Sequence, residues 1–513
     1  MVTSPALKFP TPTVPKVPFA PEAFKALPVP KVEVKKPSKA PEFDQASATV
    51  TGRDEFSTTY TDANGLHQVA LSNSAVNVKS AGKWVEASTS LSDDGSGGLQ
   101  VADNPLAPHF AAKADAAELF TATRGGHALS FGLDEAKASA VQQLTVPFLP
   151  IGRDRAAYLS VLPNTDLRYQ VSAGEVKESI VLNKVPSAAQ STYVWTVNAP
   201  GLTPVRNKFD DLEFRDDAGV VLFTMPVPAM WDSSGKAGER QPALTNIAYD
   251  IVKKSGSKWT LTLSPSREWL TDPDRVYPVV LDPTVNPASN DVHSYKSDGA
   301  TFTGKAYVGN TRDSNTNRYW RAIQHYNYEQ VFGEQVIGAS IHVYPTTAAA
   351  GCAAGGVYWA SAFSYNGVGP QLGGLTVCTT DASTSDAGIG GQIASWVNSG
   401  GSGGYIMITG AEGGTYTFKA LNTDMYVSYK DFPAVTGVTG ATPVNGARGS
   451  VMPIMQATGY DPMGTGLAYQ YEFSTTSNFA SIAYNTGWVG SGPMQVPQGA
   501  LTPGTTYYYR IST

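Results

Sequence analysis

The residues most able to do chemistry in this chain fall into a few short groups. Gly400-Gly401-Ser402-Gly403-Gly404 fits Gly-x-Ser-x-Gly, the signature of a serine nucleophile on a sharp turn from strand to helix. Here the helical pattern GIGGQIASWVNSGG precedes the serine and the apolar strand pattern YIMIT follows it. The order is reversed, so a flexible turn is the better reading. The six histidines are His67, His109, His127, His293, His325 and His342. None is spaced as His-x-x-x-His or His-Glu-x-x-His, so the paired imidazoles of a zincin are not supplied. His325 and His342 fall in neighbouring predicted strands, where a structural cross-strand pair is expected rather than a metal site. Asp313-Ser314-Asn315-Thr316-Asn317 offers oxygens at alternate positions, but Arg318 stands where a calcium loop of the EF-hand type needs glycine. An Asx-rich hairpin loop is the expected outcome. Asp291 and Asp298 could support a structural calcium ion, and Asp272 and Asp274 read as caps of the TDPDR turn. No acid–base pair of carboxylates can be assigned. No catalytic residue, no resident metal and no cofactor are therefore expected, a structural calcium excepted.

Aromatic and sulfur chemistry remain. Tyr319, Trp320, Tyr358, Trp359, Tyr365 and Trp396 cluster in one stretch. Exposed rings would stack on sugar faces, while alternating buried rings would fill a sandwich core, which is the simpler reading. Tyr319, Trp320, Tyr358, Trp359 and Tyr365 are the candidate glycan-facing set. The two cysteines, Cys352 and Cys378, are expected to form one disulfide in an oxidising compartment. Two thiols without helper ligands do not make a structural zinc site.

The composition says what must position these groups. Among 513 residues there are 50 Gly and 35 Pro, and only 16% are charged, against a typical ~25%. Lys+Arg 37 against Asp+Glu 43 gives a net charge of −6, which repels rather than steers a nucleic acid. A 42% hydrophobic content can bury a core, and no apolar run approaches the ~18 residues of a membrane span. The chain is expected to be all-β: tandem β-sandwich-type domains behind an extended Pro-rich N-terminal segment.

Residues 1–42 carry ten prolines, from Pro5 to Pro41, and read as a Pro/Lys-rich linker in polyproline II conformation. Residues 43–285 hold short alternating strands, such as HQVALSNSAVNVK, DLRYQVS and SKWTLTLS, separated by turn signals. They are expected to form a β-rich N-terminal domain, as one unit or two subdomains, with AAKADAAELF (111–120) as its best helical candidate. Residues 286–431 form a further sandwich with one helix, where Ile393, Trp396 and Val397 share a stripe. Residues 432–513 resemble a fibronectin type III-like domain in LTPGTTYYYRI (501–511). Tyr507 would be the corner tyrosine whose hydroxyl bonds back to the backbone. Such a domain needs one more strand, which suggests a fragment of a longer polypeptide.

The stretch TLTLSPSREWLTDPDRVYPVVLDPTV (260–285), with GKWVEASTSL, HALSFGL, VLPNTDLRYQV and DDAGVVLFTMPVPAMWDSSG before it in order, resembles the N-terminal β-rich region of large secreted actinobacterial proteins with RHS/YD repeats or DNRLRE domains. The following NPASNDVHSYKSDG, AYVGN, RYWRAIQHYNY and VIGASIHVYP resemble a DNRLRE domain. One strand departs from that family's Arg-x-x-Leu-x-Phe pattern: Arg321 is followed by Ala322, Ile323, Gln324, His325 and Tyr326. The resemblance implies a secreted, cell-wall-associated protein, in some members a polymorphic toxin. Its partner would be the downstream part of the same polypeptide. The expected role is thus non-enzymatic, structural and anchoring. The alternatives are a module binding glycan or cell wall, and a secreted hydrolase.

Overall fold

The computed structural model describes residues 42–144, 153–188, 190–233, 247–287, 292–313, 316–348, 352–400, 404–414, 417–442, 449–461 and 466–513. The chain divides into Met1–Pro41 and Glu42–Thr513. The expected linker over 1–42, Glu42 excepted, lies outside the described residues. The remainder is all-β, organised around three hydrophobic cores.

The first core lies between two antiparallel sheets. One carries Phe120–Arg124, His127–Leu133, Tyr193–Asn198, Lys258–Pro265 and Ile247–Ser255. The other carries Arg155–Leu162, Thr165–Val171, Val176–Leu182, Val279–Asp282 and Ala229–Trp231. Alternation aims side chains inward: Tyr193, Trp195 and Val197 are buried while Val194, Thr196 and Asn198 are not. Rings from both sheets meet, with Phe120 5.8 Å from Phe131 and 5.6 Å from Tyr169. Burial of such a ring contributes roughly 2–3 kcal/mol before the entropy of ordering is subtracted. The helical candidate 111–120 is not a helix. The Ala111 N–H donates to the Leu119 carbonyl at 2.9 Å and closes the segment as a loop. An alanine run this short without an apolar stripe does not offset the cost of helix nucleation.

The second core departs from the expected boundary at 285/286. The strand His67–Ser72 leaves the first block and pairs with Lys419–Lys430 along six residues, from His67↔Tyr429 to Ser72↔Asp424. It buries Val69 and Leu71 there. The hairpin Thr49–Arg53/Ser57–Thr61 extends the same sheet. Alternation marked His67–Ser72 as a strand, but its partner lies some 360 residues away, beyond any local pattern. Lys419–Lys430 is the organising strand. One edge holds His67–Ser72 and Ala306–Val308, and the other holds Gln335–Ala348.

The strand Ala306–Asp313 turns a corner: Ala306–Val308 pair with Lys419–Leu421, and Gly309–Asp313 pair with Thr316–Trp320 in the opposing layer. Gly309 permits this with φ +86°, and a Cβ there would lie 2.4 Å from the Thr417 carbonyl oxygen. The opposing layer continues through Ile406–Thr409, Ala353–Ala360 and Val368–Val377. The helix Ala387–Asn398 closes this core with Ile389, Ile393 and Val397. Trp396 is partly buried against it.

The third core, around Tyr469, Tyr471, Phe473, Met455 and Leu501, lies between two three-stranded sheets. Tyr507 occupies the expected corner: its hydroxyl accepts the Thr502 N–H at 3.0 Å.

Candidate functional site

Alternation along Thr316–Gln324 sends odd and even positions to opposite faces, which decides the fate of the aromatic set. Trp320 is buried at 1% exposure, as the simpler, core-filling reading expects, and so it drops out of the candidate glycan-facing set. It packs with Tyr307, Phe418 and Ala420 of the second block against Ala229 and Trp231 of the first. Tyr307 meets Trp320 edge-on at 5.3 Å and Phe418 at 5.2 Å, while Phe302 stacks on Tyr307 at 4.4 Å. On the other face, Tyr358 and Tyr365 pack with Tyr295, Ile323 and Met407, and Phe209 of the first block joins them. The Arg321 guanidinium lies over Tyr365 at 4.1 Å. It donates to both Glu412 oxygens, at 2.7 and 3.0 Å. Tyr319 is half-buried beside them. Only Trp359 of the five is exposed, at 42%, with Trp396 edge-on at 6.4 Å. The aromatics concentrated in 295–420 thus form two joints between the first and second blocks.

Beside the Trp320 joint lies a cavity of about 780 Å³, lined by Glu175, Lys177, Trp231, Asp282, Lys305 and Phe418 among others. In Val176–Leu182, Val176, Glu178 and Ile180 face the first core, leaving Lys177 toward the cavity. Its ammonium bonds Asp282 at 2.8 Å and sits 4.8 Å over the Trp231 ring. Lys305 bonds Glu175 at 2.9 Å, linking the two blocks. Burial works against charge on Glu175, but Lys305 and Lys177 outweigh it and hold its carboxyl below the usual range. Burial likewise opposes the Lys177 ammonium, but Asp282 and Glu175 raise it above the ordinary lysine value. Glu175 fixed as an anion is a poor general acid, and Lys177 fixed as a cation is a poor nucleophile. The arrangement bridges surfaces rather than moving protons. Sequence reasoning missed these four residues. Lys177 is one of three polar residues in VKESIVL, and nothing local names its partner 105 residues on, Asp282.

The other sequence candidates scatter. Gly400 ends the helix Ala387–Asn398 with φ +63°, a strand follows at Ile406–Thr409, and Gly401–Gly403 lie outside the described residues. His325 and His342 do not meet. Thr316–Gln324 and Gln335–Ala348 belong to opposing layers, so His325 lies against Tyr405 and His342 against Tyr426. Asp298 takes Arg318 at 3.2 Å and Lys296 at 3.4 Å, so its carboxylate is engaged by cations. Asp291, Ser314 and Asn315 lie outside the described residues. The Asp272 carboxylate accepts the Asp274 N–H at 2.9 Å, a turn cap. Among the described residues no three His, Cys, Asp or Glu gather as a metal site. Cys352 and Cys378 are joined by a disulfide. No helix among the described residues is long and apolar enough to cross a membrane.

Gln324, at the departure from the family pattern, is fully buried. Its oxygen accepts from Asn73 at 3.1 Å and from the Thr423 hydroxyl. The polar residue at an expected apolar position thus ties the returning N-terminal segment into the second core.

No family model matches the chain. Part of it is similar to the tRNA3(Ser)-specific nuclease WapA of Bacillus spizizenii, 25% identical over 294 residues, or 56% of this chain and 12% of that protein. It is similar in the same way to the tRNA nuclease WapA of Bacillus subtilis, 25% identical over 278 residues, 53% of this chain and 11% of that protein. A solved exo-beta-1,3-galactanase from Phanerochaete chrysosporium aligns with 70% of this chain at 9% identity and a TM-score of 0.11, too low to support a shared fold. The chain therefore aligns with about an eighth of the length of the curated relatives it matches.

Proposed function

We propose that this chain is a non-enzymatic structural and anchoring portion of a large secreted, cell-surface protein of the RHS/YD type, with a DNRLRE-like sandwich as its second block. The observation that carries this reading is the aromatic joint around Trp320. Rings that a binding face would expose are buried in fastening one block to the next. Two further observations support it. The cavity beside that joint is lined with carboxylates and ammonium groups paired to one another. The Cys352–Cys378 disulfide suits an oxidising, extracellular location. The likeness to nuclease-named relatives covers 12% of the longer partner. On this reading the toxic activity of such a protein belongs to another part of the polypeptide, and this part carries it. Incubation of the purified chain with total tRNA tests the non-enzymatic reading. Intact tRNA is the expected result, and cleavage that co-purifies with the homogeneous chain would overturn it.

A further inference from the structure

The outer face of the third core carries an arrangement that packing does not explain. Three strands build it: Ile482–Val489, Tyr469–Ser474 and Tyr508–Ser512, with Tyr469–Ser474 in the centre. The alternate positions Tyr469, Tyr471 and Phe473 go to the core, which leaves Gln470 and Glu472 on the outer face. Register places Trp488 and Ser512 on either side of Gln470, Asn485 and Arg510 on either side of Glu472, and Tyr508 beside Ser474. Trp488 is 60% exposed and Tyr508 46%. Between them runs a chain of planar polar groups. Gln470 Nε2 donates to Asn485 Oδ1 at 2.9 Å, Asn485 Nδ2 donates to Glu472 Oε1 at 2.9 Å, and Arg510 Nε donates to Glu472 Oε2 at 2.5 Å.

We infer that this face is a binding site for a neutral polysaccharide, with Trp488 as its stacking platform. Three features select that ligand class. An exposed indole presents a flat apolar face, and a pyranose ring offers an apolar face of C–H groups to match it. The amides of Gln470 and Asn485, already oriented by their mutual bond, keep further donors and acceptors for hydroxyl groups. The only charges in the row, Glu472 and Arg510, neutralise one another, so the face attracts neither anion nor cation. With strands ~4.8 Å apart and ~3.4 Å per residue, the diagonal from Trp488 to Tyr508 is roughly 17 Å between Cα atoms. That fits a short run of sugar rings along a chain rather than a single sugar. The inference does not depend on the scaffold role, which stands on the Trp320 joint.

The test is co-sedimentation of the purified full chain with insoluble cellulose, chitin and β-1,3-glucan, at low and high salt. The chain should pellet with at least one of the three, independently of salt. Trp488→Ala should lower the affinity by about tenfold or more, the equivalent of ~1.4 kcal/mol. Gln470→Ala combined with Asn485→Ala, which leaves the ring in place, should weaken binding while preserving the far-ultraviolet circular dichroism. Trp359→Ala should bind as the unaltered chain does. Absence of binding to all three glycans, or undiminished binding by Trp488→Ala, would overturn the inference. Loss of binding in Trp359→Ala with Trp488→Ala unaffected would overturn it too, as would binding abolished by salt.

Discussion

Tyr307 stands edge-on to Trp320, ring centroids 5.3 Å apart and planes at 85°, in a cluster that also holds Ala229 and Trp231 of the preceding block. Trp320→Ala should therefore cost about 3–5 kcal/mol, as for other fully buried large rings, and Trp320→Phe less. Guanidinium titration followed by circular dichroism measures both. A loss under ~1 kcal/mol for the alanine variant would mean that the joint does not fasten the blocks.

The Lys305–Glu175 pair crosses the same joint. Glu175→Gln should destabilise by about 1–3 kcal/mol, less than a fully buried pair because water still reaches both groups. Because the folded carboxyl is held below its ordinary value, its contribution is present above the unfolded pKa and is lost as pH falls through the folded one. The variant should flatten the acid limb of the stability–pH curve.

Glu178 gives the opposite slope. It faces the first core at 4% exposure, and burial pushes its carboxyl up to about 8 despite the hydrogen bond from Tyr169. Below the unfolded value, ~4.3, both states hold the proton. From there to about 8 only the folded state holds it, so stability falls across that window and levels off above it. Glu178→Gln should remove this slope and raise stability at pH 8 by an amount on the order of a few kcal/mol, read from urea midpoints across pH.

Gly309→Ala should destabilise by more than ~2 kcal/mol, since it combines a left-handed φ of +86° with a Cβ 2.4 Å from the Thr417 carbonyl oxygen. Gly299→Ala, with φ +98° and open space around its Cβ, should cost only the conformational part, ~1 kcal/mol. Thermal unfolding of the two variants separates the contributions.

The disulfide closes a loop between residues 26 apart, so its reduction should remove about 3–4 kcal/mol in the chain-entropy model. Denatured, unreduced protein should show no thiol reactive to a maleimide. Two reactive thiols per chain would contradict the bond.

Much of this architecture was legible locally. Alternation located the strands Thr165–Val171 and Lys258–Pro265 through DLRYQVS and SKWTLTLS, and LTPGTTYYYRI placed Tyr507 at its corner. Partner choice was not legible. Val69 and Leu71 announce a strand, but the sheet they join is built from 419–430, and a period of two carries no information about distant register. Burial of Trp320 was the simpler expectation, but what buries it was not legible: the cover comes from Ala229 and Trp231 of the preceding block. The ion pairs Lys177–Asp282 and Lys305–Glu175 were hidden for the same reason. Gln324 appeared only as a departure from a pattern, and the fold explains it as the anchor for Asn73.

Native-state hydrogen exchange of the full chain tests the scaffold most directly. If the joints make one body of the first two blocks, amides of Val176–Leu182 and of Lys419–Lys430 should exchange at their slowest with the same free energy and the same denaturant dependence. Trp320→Ala should separate the two. Different opening free energies for these strands in the unaltered chain, unchanged by Trp320→Ala, would contradict the account.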